Sequence, residues 1–244
     1  MPLHRFADCV SIVTGASSGI GRAITLALAA EGAAICVTGR DRDRLAAAES
    51  DARAAGACDL LAMRLEMTND HDLEALTDAV NNRFGGVDIL IHCAGIYARA
   101  SLEDASIEDL DALYATNLRA PYRLIQRMLP LIRRRHGDIV LISSTQGLAA
   151  RAGVGQYAAT HHGLKALADS LREEINGDGV RVTVLHVGST ATALQARIHA
   201  SLGRHYAPEQ LLQPEDIASI VVAAVALPRT AEVTDLTIRS LHKP

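Results

Sequence analysis

The run GQYAATHHGLKALADSLREEIN carries two side chains suited to proton transfer, Tyr157 and His161. They stand four residues apart in a segment of helical period, so both side chains fall on one helical face. An unperturbed tyrosine has a pKa of about 10, and an unperturbed histidine, with a pKa of about 6.5, is charged roughly a quarter of the time at pH 7. The spacing therefore predicts a phenol beside a weakly cationic imidazole.

A glycine-rich loop lies near the start of the chain, in the stretch SIVTGASSGIGRAI. Gly15, Gly19 and Gly21 separate a short apolar run from a segment rich in alanine and leucine. Glycine permits a tight turn and lets backbone N–H groups approach a diphosphate, whose charge is met by the N-terminus of the following helix. The loop therefore predicts nucleotide binding, with a purely structural turn as the alternative. The other binding candidates of the loop are Ser17, Ser18 and Ile20.

Seven short apolar runs alternate with segments of helical period, the pattern of repeated βα units around a parallel sheet. The length of 244 residues and the 49% hydrophobic content suit one core of this kind. We therefore predict an α/β fold with a doubly wound parallel sheet: a single Rossmann-type domain over residues 1–244 with about seven strands. The predicted strands are Cys9–Thr14, Ala34–Thr38, Leu60–Leu65, Val87–Cys93, Asp138–Ser143, Val180–Val187 and Thr234–Ile238.

Capping residues, proline and glycine predict where several helices begin, bend or end. Ser106, with Asp109 three residues later, resembles a capping box at the start of a long helix, and Pro121 is expected to bend that helix. Gly85 and Gly177 are expected to end two other helices.

Composition narrows the classes of partner. A net charge of −4 provides no electrostatic footprint for nucleic acid or for an anionic membrane surface. The first ten residues lack the apolar core of a signal peptide, and no stretch approaches the ~18 apolar residues of a membrane span. The four cysteines form no CxxC pair, so neither a metal site nor a disulfide framework is predicted. We expect a cytoplasmic protein with reduced thiols.

The loop TGASSGIG, with its GxxxGxG spacing, resembles that of the short-chain dehydrogenase/reductase family. The resemblance runs along nearly the whole chain. It continues through Cys93, Ala94 and Gly95, Asn117 in the fourth helix, the ISS sequence that ends at Ser144, the tyrosine thirteen residues later and the GSTAT sequence after the sixth strand. It implies an oxidoreductase that uses a nicotinamide cofactor and assembles as a homodimer or homotetramer.

The same resemblance implies roles for the catalytic group. Tyr157 would give the proton, Ser144 would hydrogen-bond the substrate oxygen and Asn117 would support a water relay. The family has a lysine four residues after the tyrosine, in a YxxxK motif, where it lowers the tyrosine pKa and holds the nicotinamide ribose; here that position is His161. We therefore expect weaker cofactor binding and a proton transfer slower by about one to three orders of magnitude.

Cofactor choice is predicted at the end of the second strand. Family members that use NAD have an aspartate at the position of Gly39, and Arg40 follows it here. A 2′-phosphate is bound well by a guanidinium and repelled by a carboxylate, so we predict NADP(H). The alternative is that Arg40, with Arg42 and Arg44, is only a solvated helix start. The resemblance adds further cofactor contacts at Glu66, Met67, Cys93, Ala94, Gly95, Gly188, Thr190 and Thr192.

Two departures from the family pattern fall on the cofactor-facing edge. The family's NNAG is here His92–Gly95, and the usual proline after the sixth strand is Val187. Lys165, one helical turn beyond His161, is a weak candidate to replace the missing lysine, and His162 is expected to be an exposed helical residue.

The residues that contact the substrate are predicted only from their place in the chain. Residues of about 193–213 correspond to a substrate lid in the family, and an amphipathic helix there could close over the site or pack on the body of the protein. Its apolar residues are Leu194, Ile198, Leu202 and Tyr206. Further candidates for the wall of the pocket are Gln146, Leu148 and Val154.

Three functions follow. The first is an NADP(H)-dependent oxidoreductase acting on a small ketone, aldehyde or secondary alcohol. The second is a cofactor-binding protein with little or no turnover, in a regulatory or partner role, because His161 replaces the family lysine. The third is a non-redox reaction, such as elimination or epimerisation, that uses Tyr157 without needing that lysine.

Overall fold

The structure, a computed structural model, describes residues 5–241 and contains one seven-stranded sheet in which all paired strands are parallel. The strands are β1 Val10–Thr14, β2 Ala34–Gly39, β3 Asp59–Arg64, β4 Ile89–His92, β5 Asp138–Ser144, β6 Arg181–Val187 and β7 Asp235–Ile238. The helices are α1 Gly19–Ala30, α2 Arg42–Ala55, α3 Asp70–Phe84, α4 Ile107–Tyr114, α5 Ala120–Arg133, α6 Gly155–Ile175, α7 Ala193–Ser201 and α8 Pro214–Val225. The predicted doubly wound parallel fold is confirmed.

The central strands are apolar because both faces of the sheet are covered. Every residue of β1, β4 and β6 is buried. Two clusters of buried side chains form the core; one includes residues of α1 and α8, and the other includes residues of α3, α5 and α6. The helices therefore lie in two layers, one on each side of the sheet.

The strand order, β3-β2-β1-β4-β5-β6-β7, reverses direction between β1 and β4. Thr14, the last residue of β1, is paired in register with His92, the last residue of β4. In an open parallel sheet, the chain leaves these two strands toward opposite faces, and a crevice opens at their carboxyl ends. This edge of the sheet positions the site described below.

The predicted boundaries differ from the structure by one or two residues at several ends. The largest difference is in the fourth strand, which was expected over Val87–Cys93 and covers only Ile89–His92. Backbone pairing ends there because Cys93 N–H and Ala94 N–H donate to the Thr14 side chain instead of to a neighbouring strand.

The long helix after Ser106 is interrupted as expected from Pro121. Ser106 accepts a hydrogen bond from the Asp109 N–H at 3.0 Å and so caps α4. A π-helical stretch, Ala115–Arg119, separates α4 from α5, and Pro121 is the second residue of α5. Proline has no N–H to donate to the preceding turn, and the wider π turn accommodates that gap.

Candidate active site

A cleft of about 310 Å³ opens at the carboxyl ends of β4, β5 and β6, beside the start of α1. Many of the predicted site residues line it together: Ile20, Cys93, Ala94, Gly95, Asn117, Ser144, Tyr157, His161, Gly188, Thr190 and Thr192. Outside its lining lie Gly15, Ser17, Ser18, Gly19, Gly21, Arg40, Glu66 and Met67. The fold thus gathers the proton-transfer candidates and part of the glycine-loop neighbourhood around one cavity.

Tyr157 lies in the first turns of α6 between two other rings. Its ring centroid is 4.4 Å from that of His161 and 5.0 Å from that of Tyr97. Burial raises the pKa of Tyr157 to about 12, although a hydrogen bond with Ser144 acts in the opposite direction. The phenol is therefore protonated throughout the physiological range.

His161 is buried, with only 7% of its surface exposed. Its Nδ1 lies 3.0 Å from the Ser143 hydroxyl oxygen, which leaves Nε2 as the ring nitrogen available to the cleft. Gly147 packs directly on this turn, since a Cβ there would come within 3.0 Å of the His161 Cβ. Burial lowers the pKa of His161 to about 4, and the nearby His186 and His162 lower it further. The expectation that His161 is charged a quarter of the time at pH 7 is therefore wrong, because burial disfavours the imidazolium.

A second buried histidine, His92, lies at the end of β4 and also lines the cleft. Thr14 connects it to the glycine-loop side: the Thr14 hydroxyl accepts from the N–H groups of Cys93 and Ala94 and lies 3.1 Å from His92 Nδ1. The Thr14 oxygen already accepts from two N–H groups, and this favours donation of its own proton to His92 Nδ1. Burial lowers the pKa of His92 to about 4, and His92 Nε2 has no hydrogen-bond partner among the described residues.

Asn117 lies in the π-helical stretch and is buried. Its side-chain amide forms two hydrogen bonds of 2.9 Å with the backbone of Ile96, accepting from N–H and donating to C=O. The same amide lies 3.5 Å from the Thr160 hydroxyl, which donates to the Tyr157 carbonyl. Asn117 therefore ties the segment after β4 to the helix that carries Tyr157.

The glycine loop has the shape that a diphosphate requires. Gly15 has a φ of +66°, and a Cβ on Gly21 would lie 2.4 Å from the Gly15 carbonyl oxygen, so no other residue fits at Gly21 without a backbone shift. Ser18 stands at the N-cap of α1, makes no capping bond with its side chain, and no acidic residue occupies the first turn. The first N–H groups of α1 are thus available to an anion.

The residues expected to contact the 2′ position of the cofactor ribose lie at the end of β2. A Cβ on Gly39 would come within 2.9 Å of Ser17 Oγ, so the end of β2 lies close to the glycine loop there. Arg40 is largely exposed and lies 3.6 Å from the Glu66 carboxylate. Met67 is buried in the core. Arg40 is thus free to turn toward a phosphate at the cost of one exposed ion pair, which contributes little.

The far wall of the cleft follows β6. Thr190 is paired with Leu212 in an isolated bridge, and Thr192 caps α7 by accepting from the Gln195 N–H at 3.2 Å. A Cβ on Gly19 would lie 3.0 Å from Thr192 Cγ2, which shows how closely this wall approaches the glycine loop.

Residues 193–213 contain α7 and a 3₁₀ turn, Pro208–Gln210. Leu194, Ile198 and Leu202 line the cleft as expected, together with Gln146 and Val154.

Tyr206 and Leu148 were expected in the same wall and are not part of it. Tyr206 packs edge-on against His199, seven residues earlier in α7. Leu148 is exposed because it follows a 3₁₀ turn that directs it away from the cavity. Lys165 forms an ion pair with Asp169 at 2.6 Å, which occupies its ammonium group on the helix surface. His162 is exposed, as expected.

Several residues of the cleft carry no signal in the sequence. Tyr97, Arg99, Arg151 and Arg204 line it, and Ser143 holds His161. They stand in three separate segments without a shared motif. Only the adjacency of Ser143 to Ser144 at the end of a predicted strand could have pointed to one of them.

Residues 5–241 contain no cluster of three or more histidine, cysteine, aspartate or glutamate side chains arranged to hold a metal ion. Within the same residues, no helix combines the length and the apolar character needed to cross a membrane.

A family profile described as short chain dehydrogenase matches residues 9–203, which include the glycine loop, Tyr157 and all the cleft-lining residues except Arg204. This chain belongs to the short chain dehydrogenase family. Its members are oxidoreductases, and at the family's YxxxK positions this one has Tyr157 and His161.

Among curated short chain dehydrogenase relatives, an uncharacterised oxidoreductase of Staphylococcus aureus strain N315 is 28% identical over 95% of this chain and 97% of its own length. Glycine betaine reductase ATRR of Emericella nidulans is 30% identical over 96% of this chain, which spans only 19% of that protein.

Solved structures superpose closely on this chain. An alcohol dehydrogenase from the archaeon Thermococcus sibiricus, complexed with 5-hydroxy-NADP, has a TM-score of 0.88 with 28% identity over 97% of this chain and 98% of its own. A metagenomic short-chain oxidoreductase in complex with NADP has a TM-score of 0.84 with 29% identity over 98% of this chain and 100% of its own.

Proposed function

We propose that this protein is an NADP(H)-dependent oxidoreductase that transfers a hydride between the nicotinamide cofactor and a small ketone, aldehyde or secondary alcohol. The observation that carries the proposal is the position of Ser144 and Tyr157 together in the lining of one cleft, which adjoins the open N-terminus of α1. Ser144 positions the substrate oxygen, and Tyr157 exchanges the proton at that oxygen.

Two separate features support NADP(H) as the cofactor: the start of α1 and the side chain of Arg40. The open N–H groups of α1 suit its diphosphate, and the exposed guanidinium of Arg40 suits a 2′-phosphate. The similar alcohol dehydrogenase and metagenomic oxidoreductase, which were solved with 5-hydroxy-NADP and NADP, support the same choice. When bound, the cofactor supplies or accepts the hydride.

The acid–base character of Tyr157 favours carbonyl reduction. With a pKa of about 12, the phenol holds its proton at neutral pH and is ready to donate it to a carbonyl oxygen. Alcohol oxidation requires the phenolate, whose population at pH 7 is on the order of one part in 10⁵ at that pKa. Reduction is therefore the direction that this site supports near neutrality.

Neutral His161 favours a second candidate, a cofactor-binding protein with little or no turnover. No cation stands within the Tyr157–His161–Ser143 group to lower the phenol pKa, so the proton donor is a weak one. A slow reductase and a binding protein differ in the rate at which a carbonyl oxidises the bound NADPH, so measuring that rate distinguishes them.

The test begins with equilibrium binding of NADPH and NADH, followed by NADPH oxidation over a panel of ketones and aldehydes. Turnover that is lost in Tyr157→Phe, with NADPH binding retained, supports the reductase. Tight NADPH binding without oxidation by any carbonyl supports the binding protein. Product formation with unchanged cofactor absorbance would instead support non-redox chemistry at Tyr157.

We also propose that the protein is cytoplasmic and forms a homodimer or homotetramer. Exposed apolar side chains on α4 and α5 support self-association: Ile107, Leu110, Tyr114 and Tyr122. Sedimentation of the purified protein tests the assembly directly.

A further inference from the structure

Three arginines from three separate segments converge on the cleft. Arg99 follows β4, Arg151 lies between β5 and α6, and Arg204 follows α7. No aspartate or glutamate is among the residues that line the cavity. The lining therefore carries three positive charges and no negative one, in a protein whose net charge is −4.

These guanidinium groups have no protein partner among residues 5–241. The side chains of Arg99, Arg151 and Arg204 are exposed, and none of them takes part in an ion pair or a side-chain hydrogen bond with another described residue. Unpaired cations gathered around a cavity leave their donors available to a ligand.

The backbone is shaped to hold two of them together. Gly153 has a φ of +80°, and a Cβ there would lie 3.2 Å from Arg99 Nη2, so the Arg99 side chain rests directly on this glycine. The Ala100 N–H donates to the Gly153 carbonyl at 3.0 Å, and the Val154 N–H donates to the Arg151 carbonyl at 3.3 Å. The segments of Arg99 and Arg151 are thereby joined at the mouth of the cleft.

Arg204 comes from a third segment of the chain. Its N–H donates to the His199 carbonyl at 2.9 Å, which anchors it to the end of α7. Tyr97 packs on Tyr157 only two residues before Arg99, a backbone span of at most about 7 Å. Tyr157 and the three arginines line the same cleft, so one small molecule bound there can contact both the proton donor and the arginines.

We propose that the cleft takes a carbonyl substrate bearing an anionic group, a carboxylate or a phosphate, a few carbon atoms from its carbonyl, and that Arg99, Arg151 and Arg204 bind that group. The guanidinium fork matches the paired oxygens of either anion. This inference rests on the proposed reductase function and specifies its substrate class.

The test compares matched substrates with the wild type and with Arg99→Gln, Arg151→Gln, Arg204→Gln and the triple variant. Pyruvate, acetoacetate and levulinate place the carboxylate progressively further from the ketone, and each is paired with its neutral methyl ester. Dihydroxyacetone phosphate is paired with dihydroxyacetone. The control is Arg197→Gln, an exposed arginine of α7 outside the cleft lining.

In the wild type, we expect kcat/KM for at least one anion to exceed that of its neutral partner by about ten-fold or more, and we expect this preference to fall in each single variant and to disappear in the triple variant. The substrate pair that shows this preference identifies the anionic group as a carboxylate or a phosphate. It also gives the number of carbon atoms between that group and the carbonyl. Equal values for every pair in the wild type, or a preference that survives in the triple variant, would overturn the inference. So would a matching loss of NADPH affinity in the variants, since the arginines would then bind the cofactor.

A binding measurement keeps this result separate from the reductase proposal. Butyrate and butyramide, which have no ketone to reduce, are titrated into the protein–NADPH complex while the cofactor fluorescence is followed. Tighter binding of butyrate that disappears in the triple variant supports the anion site even if no carbonyl is turned over. Equal binding of both compounds counts against it even if neutral ketones are reduced.

Discussion

Replacing His161 by lysine is expected to accelerate proton transfer at Tyr157. In the present site, burial holds the phenol pKa at about 12, two units above its ordinary value, and the neighbouring imidazole is neutral. Those two units correspond to about 3 kcal/mol against the phenolate. The ring centroids lie 4.4 Å apart, so a side chain at position 161 is within reach of the phenol.

An opposite charge at that distance lowers a pKa by about one to three units. In His161→Lys, we therefore expect the phenolate population near pH 8, and with it the rate of alcohol oxidation, to rise by about ten-fold to a thousand-fold. Carbonyl reduction near pH 7 to 8 should also become faster, because a more acidic phenol is a better proton donor, and the gain should fall within the roughly hundred-fold or greater range of positioned acid–base groups.

The assay follows NADPH oxidation and formation in both directions between about pH 6 and 9, with cofactor affinity measured separately. The matched control is His162→Lys, which adds the same charge one residue further along α6 on an exposed side chain. A rate in His161→Lys no higher than in His162→Lys, at equal NADPH affinity, would refute the idea that the missing cation limits the reaction. A fall in rate would mean that the histidine suits a chemistry of its own.

Three further outcomes are expected. Arg40→Ala should weaken NADPH binding by about ten-fold or more and leave NADH binding nearly unchanged, because only NADPH carries the 2′-phosphate. The wild type should lose stability as the pH falls from about 6.5 to 4, by about 3 kcal/mol for each buried neutral histidine, since the unfolded chain binds protons there that the folded chain does not; His92→Asn should flatten this loss in urea unfolding. Ser143→Ala should destabilise the fold by about 1–3 kcal/mol, because it leaves Nδ1 of buried His161 without its partner, and should lower turnover more than it lowers NADPH affinity.

Each of these three predictions has a control variant or an outcome that would contradict it. Arg42→Ala removes an arginine two positions from Arg40, and equal losses for NADPH and NADH in Arg40→Ala would contradict the 2′-phosphate assignment. An unchanged pH slope in His92→Asn would mean that this ring already titrates normally in the folded protein. For Ser143, the comparison is Ser11, another buried serine on the sheet, whose hydroxyl has no partner among the described residues: Ser11→Ala should be close to neutral.

Patterns among residues close together in the sequence determined the secondary structure, the glycine loop and part of the candidate site. Alternating apolar and helical segments predict the seven parallel strands, and the glycine spacing predicts the loop before α1, because a turn or a helical face depends on residues a few positions apart. The four-residue step from Tyr157 to His161 likewise predicts that their side chains meet, and their rings are indeed in contact.

Protonation and charge were decided only by the tertiary structure. His161 is neutral because the fold buries it and brings His186 close to it, and Ser143, eighteen residues earlier, binds its ring. His92 depends on Thr14, which is 78 residues away in sequence. The convergence of Arg99, Arg151 and Arg204 has no periodicity that could reveal it, since three loops that are distant in the chain meet only when the sheet and its helices are assembled. A pKa responds to burial and to every nearby group, and such neighbours are set by the whole fold.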